Sequence, residues 1–298
     1  MNILITGGTG FVGTHLAQHL NSLGYQVTCL ASTATSQESG SSRIVRADTT
    51  RPGDWQALVP EHEAIINLAG RSVFHLWNGG YKQQIRDSRI LTTSNLVSAM
   101  ESGRNQVLIS TSAAGYYGDG GDQEKTESSA PGKDFLALVC SEWESAALAA
   151  TDKGCRVCLA RLGVVLDKGG GAVATMKTPF KFGLGGPIGN GHQWFPWIHL
   201  QDVLRAIVFL LEGDGLSGPF NFTAPGNVRQ KAFAAALGKA MGRPAVLPAP
   251  APLMRLVLGE FGRSLLQGQR VVPQALMEKG FTFEYPELTS ALGEIIDR

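Results

Sequence analysis

The sequence predicts an α/β fold with a doubly wound parallel sheet and a smaller C-terminal α/β lobe. The chain opens with a short apolar run, a glycine turn and a helical pattern. Apolar runs of strand length then alternate with helical stretches as far as about Phe222. Beyond that residue, helical stretches are separated by prolines. Alternation of strands and helices indicates a parallel sheet with helices on both faces and ligands at the carboxyl ends of its strands.

Each element of the first half follows from a local pattern. Apolar residues at helical spacing between Val12 and Leu23 predict a helix that stops at Gly24. Further helices are expected at about 82–101 and 135–150. Apolar runs bounded by turn residues predict strands at 2–6, 26–30, 43–47, 64–70 and 106–112.

The second half continues with a strand at 156–165 and, later, a helix at 230–241. We expect a dinucleotide-binding domain over 1–225 and a small C-terminal substrate or lid domain over 226–298. The Gly-rich insert 168–198 is expected to contribute to the substrate cleft. Its aromatic residues Trp194, Phe195 and Trp197 could stack on a ligand ring or join the two lobes.

A glycine motif joins the first strand to the first helix. Gly7, Gly10 and Gly13 are three residues apart, and Gly8 also completes a GxGxxG pattern. Such glycines allow a sharp turn, a close approach of the backbone to a pyrophosphate and tight packing of helix on strand. The helix N-terminus adds free N–H groups and positive dipole. The motif predicts a Rossmann-type NAD(P) site; the alternative is a glycine-rich turn without a ligand.

The end of the second strand bears on the choice of cofactor. Sites that prefer NAD usually carry an acidic residue there, whereas this chain reads Leu30-Ala31-Ser32-Thr33. We therefore expect NADP(H) to be preferred, with NAD(H) as the alternative, and Ser32, Thr33 or Arg43 to contact a 2′-phosphate. Asp48 could hold the adenine amino group or serve as a turn residue.

Composition limits the class of partner. The formal net charge is +1, without a run of basic residues, which argues against nucleic acid and anionic membranes. We expect a cytoplasmic protein with a small-molecule substrate, and the sequence is compatible with a homo-oligomer. Cys155 and Cys158 form a CxxC, but residues three apart in a strand point to opposite faces, so no metal site is predicted.

Several longer motifs, taken with the glycine turn, resemble the extended short-chain dehydrogenase/reductase superfamily. They are similar, more narrowly, to its atypical subgroup of NAD(P)-dependent epimerase/dehydratase-like proteins. The resemblance runs nearly end to end. The motifs are Asn67-Leu-Ala-Gly70, Arg86-Asp-Ser-Arg-Ile-Leu-Thr-Thr93, Ser112-Ala-Ala-Gly-Tyr-Tyr-Gly118, Gly183-Leu-Gly-Gly-Pro-Ile-Gly189, Trp197-Ile-His-Leu-Gln-Asp202 and Gly268-Gln-Arg-Val-Val-Pro273.

The resemblance implies where the cofactor contacts the chain. The pyrophosphate would meet the glycine turn, and Val164 would face the nicotinamide. Two positions depart from relatives: Arg89 replaces an Asn of the wider superfamily, and Ser32 replaces an Arg found in many subgroup members. The implied cofactor-binding residues are Gly7, Thr9, Gly10, Phe11, Val12, Gly13, Ala31, Ser32, Asp48, Leu68, Ala69, Gly70, Gln84, Arg89, Arg161 and Val164.

The superfamily's acid–base pair is missing. Its members use a Tyr whose pKa is lowered by a Lys four residues later, but no tyrosine here has Lys at that distance. Counting from Ser112 places Leu136 and Cys140 at those positions. The candidate catalytic residues are Ser112, as a hydrogen-bond donor, and Tyr116 and Tyr117, for which packing is the preferred interpretation. His199 is interpreted as structural.

Two functions remain open from the sequence. The first is an NAD(P)-dependent oxidoreductase or epimerase-like protein that acts on a small carbonyl or nucleotide-sugar-like substrate. The second is a catalytically silent NADP(H)-binding regulatory or scaffold protein. Some relatives are associated with cell or plastid division, which fits the second class.

Overall fold

A computed structural model describes residues 1–33, 37–39 and 42–297. The strands are β1 (Asn2–Thr6), β2 (Gln26–Ala31), β3 (Gln37–Ser39), β4 (Ser42–Arg46), β5 (Ala64–Asn67), β6 (Val107–Ala113), β7 (Glu124–Lys125), β8 (Arg156–Leu162), β9 (Val164–Asp167), β10 (Trp194–Phe195), β11 (Trp197–His199), β12 (Gly218–Phe222), β13 (Val228–Arg229) and β14 (Arg270–Val271). The helices are α1 (Phe11–Ser22), α2 (Gly79–Ala99), α3 (Phe135–Leu148), α4 (Gly171–Lys181), α5 (Leu200–Glu212), α6 (Gln230–Ala240), α7 (Ala251–Ser264), α8 (Gln274–Glu278) and α9 (Leu288–Asp297).

The central sheet has eight strands in the order β12-β8-β6-β5-β1-β2-β4-β3. Seven are parallel, and β3 pairs antiparallel with β4 at one edge. The chain begins at the centre with β1, winds outward through β2 and β4, and returns past β1 to build the other half. This is the doubly wound, Rossmann-type order, so the predicted fold class is confirmed.

Both faces of the sheet are covered, which explains why its strands are almost continuously apolar. Ile3 and Ile5 face the core beneath α1 and α5, whereas Leu4 faces the core beneath α2 and α3. The two cysteines of the CxxC likewise divide, with Cys155 in the second core and Cys158 in the first. Their placement agrees with the interpretation of this segment as an ordinary strand.

The strand predicted at 156–165 is in fact two strands. Gly163 ends β8, and the N–H of Val164 donates to Pro196 O at 2.7 Å, which turns β9 away to pair with β11. A Cβ on Gly163 would lie 2.9 Å from the same carbonyl oxygen. The turn therefore depends on a close backbone approach that a strand pattern does not reveal.

The insert and the C-terminal segment share a third core. Val173 and Phe180 of α4 pack with Phe233 of α6 and Leu292 of α9. The fully buried Asp202 links the lobes, because its carboxylate accepts from the N–H groups of residues 284 and 285 at 2.7 and 2.9 Å. The predicted boundary at residue 225 stays a prediction. No described helix is long and apolar enough to cross a membrane.

His199 is part of the junction between the lobes. Its Nε2 lies 3.1 Å from Glu294 Oε2, and its Nδ1 accepts from the N–H of Gln201 at the start of α5. The ring also packs against that of Tyr285, with 4.0 Å between centroids and 33° between the ring planes. These contacts agree with the structural role expected for this histidine.

Candidate functional site

The glycine turn occupies the carboxyl end of β1. Gly7 has a φ of +68°, and its N–H donates to Leu30 O at 3.0 Å. A Cβ on Gly13 would lie 2.3 Å from Gly7 O, whereas a Cβ on Gly10 would have only that oxygen nearby, at 3.2 Å. Gly13 is thus required by packing, while Gly10 borders open space on the side where a ligand could lie.

The start of α1 forms an anion-binding surface. Gly10 is the N-cap residue, no described side chain caps the helix, and its first turn holds no acidic residue. The first N–H groups of a helix carry partial positive charge and need acceptors. Thr9 and Gly10 are exposed, and Phe11 and Val12 are partly so. The Phe11 ring packs so closely on Gly170 that a Cβ there would lie 2.3 Å from it.

A second loop, at the end of β5, faces the glycine turn. The N–H of Leu68 donates to Thr6 O at 3.2 Å, and the N–H of Ala69 donates to Thr6 Oγ1 at 3.3 Å. Beneath the loop, the buried side chain of Asn67 accepts from Thr6 Oγ1 at 2.7 Å and donates to Thr93 Oγ1 at 2.8 Å. These hydrogen bonds fix two backbone segments beside each other at the strand ends.

Arg89 of α2 lies directly behind this loop. Its Nη1 donates to the carbonyl oxygens of Arg71 and Ile85, each at 3.0 Å. A Cβ on Gly70 would lie 3.0 Å from the Arg89 guanidinium carbon, so the guanidinium supports the loop. Burial lowers the pKa of this guanidinium. Gln84, one turn earlier on α2, is exposed.

On the adenosine side, Ser32 and Thr33 are exposed just after the buried Ala31. Arg46 is in register with Ala31, whereas Arg43 is in register with Thr28, three residues before the strand end. Arg46 therefore lies closer to the strand end than Arg43, and a contact of Arg43 with a 2′-phosphate stays a prediction. The parallel register of the third strand on the second would have indicated Arg46.

Asp48 is engaged in a local turn. Its Oδ1 accepts from the N–H and the hydroxyl of Thr50 at 3.1 and 2.6 Å. Arg51 lies 3.8 Å from its other oxygen. These contacts match the turn role, and a role for Asp48 in binding adenine stays a prediction.

Ser112 lies near the carboxyl end of β6 and is 2% exposed. Its Oγ forms no hydrogen bond of ordinary geometry within the described part of the chain. Its polar neighbour is the Cys140 thiol, whose pKa is raised to about 11 because burial outweighs the effect of Arg89. Leu136, one turn before Cys140 on α3, instead faces the cleft described below.

Arg161 lies beside Ser112 on the next strand. Its Nε and Nη2 donate to the two carboxylate oxygens of Glu144, each at 2.8 Å, and its Nη1 donates to Tyr117 Oη at 2.9 Å. Burial is opposed by Glu144, and the net effect raises the pKa of Arg161. The guanidinium of Arg161 is held in this ion pair, and a contact of Arg161 with the cofactor stays a prediction.

Both tyrosines belong to the same network. Tyr117 is 2% exposed, and its hydroxyl donates to Asn221 Oδ1 at 2.6 Å. Burial raises the pKa of Tyr117 to about 12, although Arg161 acts in the opposite direction. The Arg161 guanidinium lies 3.6 Å from the centroid of the Tyr116 ring. The contacts favour packing over proton transfer for both tyrosines.

A cleft of about 830 Å³ opens between the strand ends and the C-terminal lobe. Val164 lies in its wall, as does Phe195 of the insert. A contribution of the insert to substrate binding stays a prediction. Trp77 contacts both Phe135 and Phe261, with ring centroids 5.3 and 5.6 Å apart. The sequence did not indicate Trp77, Phe135 and Phe261 as site residues, because they come from distant segments.

The chain matches known proteins over its whole length. A model of the NAD dependent epimerase/dehydratase family covers residues 3–221, and a model named domain of unknown function (DUF1731) covers residues 249–295. An epimerase family protein of Staphylococcus haemolyticus is 39% identical over 99% of this chain and 98% of its own.

Solved structures show the same fold. The human epimerase family protein SDR39U1, crystallised with NADPH, is 34% identical with a TM-score of 0.88, and the two chains cover each other completely. A nucleoside-diphosphate sugar epimerase of Corynebacterium glutamicum is 32% identical with a TM-score of 0.80, over 99% of this chain and 58% of its own. The chain therefore belongs to the NAD dependent epimerase/dehydratase family.

Proposed function

We propose that this protein is an NADP(H)-dependent oxidoreductase that acts on a carbonyl group of a small substrate. The observation that carries the proposal is the uncapped start of α1, where Gly10 borders open space while Gly13 is closed by packing. Such a helix N-terminus is a ready site for a pyrophosphate. The apolar cleft opens at the same end of the sheet, as expected for a substrate beside its cofactor.

The residues present fit a dinucleotide. The N–H groups of Gly10 to Gly13 would hold the pyrophosphate, the loop at Leu68 and Ala69 would lie along the chain between the riboses, and Val164 would border the nicotinamide. When bound, the nicotinamide supplies or accepts a hydride. The chain's own side chains then have to orient the carbonyl group and exclude water.

The proposal favours NADP(H) over NAD(H). The segment Ala31–Thr33 carries no carboxylate to repel a 2′-phosphate, and Arg46 is in register with Ala31. The human relative, 34% identical, was crystallised with NADPH. Titration calorimetry with both cofactors tests the preference, which would be wrong if NADH bound as tightly as NADPH.

Ser112 is the group proposed to act on the substrate. The buried Ser112 hydroxyl has the Cys140 thiol, a weak hydrogen-bonding group, as its polar neighbour, so a ligand carbonyl would be a better partner. Its Oγ–H would donate to the carbonyl oxygen, and water or a substrate group would supply the proton. Tyr117 is a poor source for that proton, because its hydroxyl already donates to Asn221 and accepts from Arg161, and burial raises its pKa to about 12.

A turnover assay tests this function. NADPH oxidation is measured with a panel of small aldehydes and ketones for wild type, Ser112→Ala and Tyr117→Phe. We expect Ser112→Ala to lower kcat/KM by about 100- to 1000-fold, the range for loss of one hydrogen-bond donor to a developing charge, and Tyr117→Phe to leave it within about 2-fold once stability is matched. Equal activity in wild type and Ser112→Ala would refute the role of Ser112.

The second candidate is a catalytically silent NADP(H)-binding protein. It is favoured by Cys140, which occupies the position of the superfamily's catalytic lysine. The buried Cys140, beside the Arg89 guanidinium, cannot act as the missing lysine. Leu136→Tyr with Cys140→Lys would not restore the pair cleanly, because the new ammonium would be buried next to Arg89. Tight NADPH binding without turnover on any carbonyl would favour this candidate. A link to cell division has no support in the site and is not part of either proposal.

A further inference from the structure

The walls of the cleft are predominantly apolar. Apolar side chains from α3, α7 and the loop before α2 dominate them, and the Trp77 ring contacts those of both Phe135 and Phe261. The indole N–H of Trp77 does not offer a donor to a ligand, because it donates to Val73 O at 2.9 Å. Leu136 and Leu258 extend the same surface.

The charges in the cleft are of the wrong sign for a nucleotide. Among the described lining residues, Asp119, Asp134 and Glu260 are acidic, and Arg263 is the one with a permanent positive charge. Proteins hold a diphosphate with Arg, Lys or uncapped helix N-termini. The helix N-terminus that meets this cleft, that of α3, is already capped by Asp134, which accepts from Ala137 N–H at 3.0 Å.

Neighbouring groups do not reverse that balance. Lys82 approaches the cleft, but its Nζ lies 2.9 Å from both carboxylate oxygens of Glu260 and 4.3 Å from the Phe135 ring centroid. His75 stacks on Tyr81 with 4.3 Å between centroids. A second diphosphate beside that of the cofactor would therefore meet carboxylates and aromatic rings.

The rim of the cleft is apolar as well. Phe74 and Leu76 line the opening and remain 52% and 53% exposed. Leu253, Leu256 and Val257 on the outward side of α7 are also exposed, at 53%, 83% and 59%, but they do not line the cleft. Exposed apolar side chains such as Phe74 and Leu76 at a cleft mouth favour the binding of apolar molecules there.

We infer that the cleft accepts an uncharged, predominantly apolar carbonyl compound of drug-like size and excludes nucleotide-linked sugars. The inference rests on the proposed oxidoreductase function for the chemistry, but its binding part stands on the cleft alone. A volume of about 830 Å³ suits an aromatic ketone of two or three rings or a long-chain aldehyde.

The test uses the neutral fluorescent probe N-phenyl-1-naphthylamine with the full chain, with and without NADPH. Leu258→Lys places an ammonium in the cleft wall, and Leu256→Lys, 83% exposed on the same helix, is its matched control. We expect Leu258→Lys to weaken probe binding at least about 10-fold, the change that 1.4 kcal/mol produces. Leu256→Lys should stay within about 2-fold. NADPH affinity and Tm, measured for each variant, show that both are folded.

Competition then identifies the ligand class. Dodecanal and 2-acetylnaphthalene should displace the probe, and UDP-glucose should not. Displacement by UDP-glucose at lower concentration than either carbonyl compound, or equal probe affinity in Leu258→Lys and Leu256→Lys, would overturn the inference. Probe binding without NADPH binding would refute the proposed function and leave the inference of an apolar cleft standing. NADPH binding without probe binding would refute the apolar cleft and leave the cofactor site standing.

Discussion

Ser112 and Arg161 are directly paired in register on β6 and β8, yet their surroundings are opposite. Both side chains are buried, at 2% and 3% exposed. Arg161 satisfies its donors with Glu144, Tyr117 and a backbone carbonyl, and it stacks on Tyr116. Ser112 Oγ has no hydrogen bond of ordinary geometry among the described residues.

Arg161 is therefore a structural polar group, whereas the Ser112 hydroxyl remains available to bind a substrate. A buried charge is stable only when it is paired and fully hydrogen-bonded, as Arg161 is. A buried hydroxyl left without a partner costs stability in the free protein and can be satisfied by a bound substrate. Two adjacent polar residues at the same end of the sheet therefore have different expected responses to mutation.

The largest expected effect follows from breaking the ion pair. Arg161→Met leaves the Glu144 carboxylate buried without its partner, which typically costs about 3 to 5 kcal/mol. Urea unfolding monitored by circular dichroism measures this loss. A loss below about 1 kcal/mol would mean that solvent reaches Glu144 and that the network contributes little.

A smaller effect is expected from the tyrosine hydroxyl in the same network. Tyr117→Phe removes one donor to Asn221 and one acceptor for Arg161, which should cost about 1 to 3 kcal/mol. NADPH affinity should not change, because the hydroxyl faces the network. Unchanged stability together with lost turnover would show instead that Tyr117 takes part in the reaction.

The smallest effect on stability is expected at Ser112. Ser112→Ala removes a buried hydroxyl whose polar neighbour is the weakly bonding Cys140 thiol, so the free energy of unfolding in urea should change by no more than about 0.5 kcal/mol, the lower end of what one hydrogen bond contributes. A loss above about 1 kcal/mol would indicate that its contact with the Cys140 thiol matters for folding, and the contrast with Arg161 would then be weaker.

The sequence was sufficient to predict the features that depend on residues close together along the chain. Gly7, Gly10 and Gly13 identified the turn, because its strand, glycines and helix are consecutive, and the alternating pattern predicted the sheet. The ion pair of Arg161 with Glu144 could not be read in this way, since it joins a strand to a helix. The same is true of the cleft, where Phe135 and Phe261 are brought together through Trp77 by packing alone.

The most direct test of the account is NADPH binding by titration calorimetry to wild type, Gly10→Val and Gly293→Val. Gly10 has a φ of −75° and a ψ of 176°, which a valine can adopt, and its side chain would extend into the space proposed for the pyrophosphate. Gly293 on α9 has no neighbour within 4 Å of its Cβ position and serves as control. If the start of α1 holds the pyrophosphate, Gly10→Val lowers NADPH affinity at least about 100-fold, equivalent to about 2.7 kcal/mol, without changing Tm, and Gly293→Val leaves it within about 2-fold. Undiminished NADPH affinity in a folded Gly10→Val protein would contradict the cofactor site, and with it the proposed function.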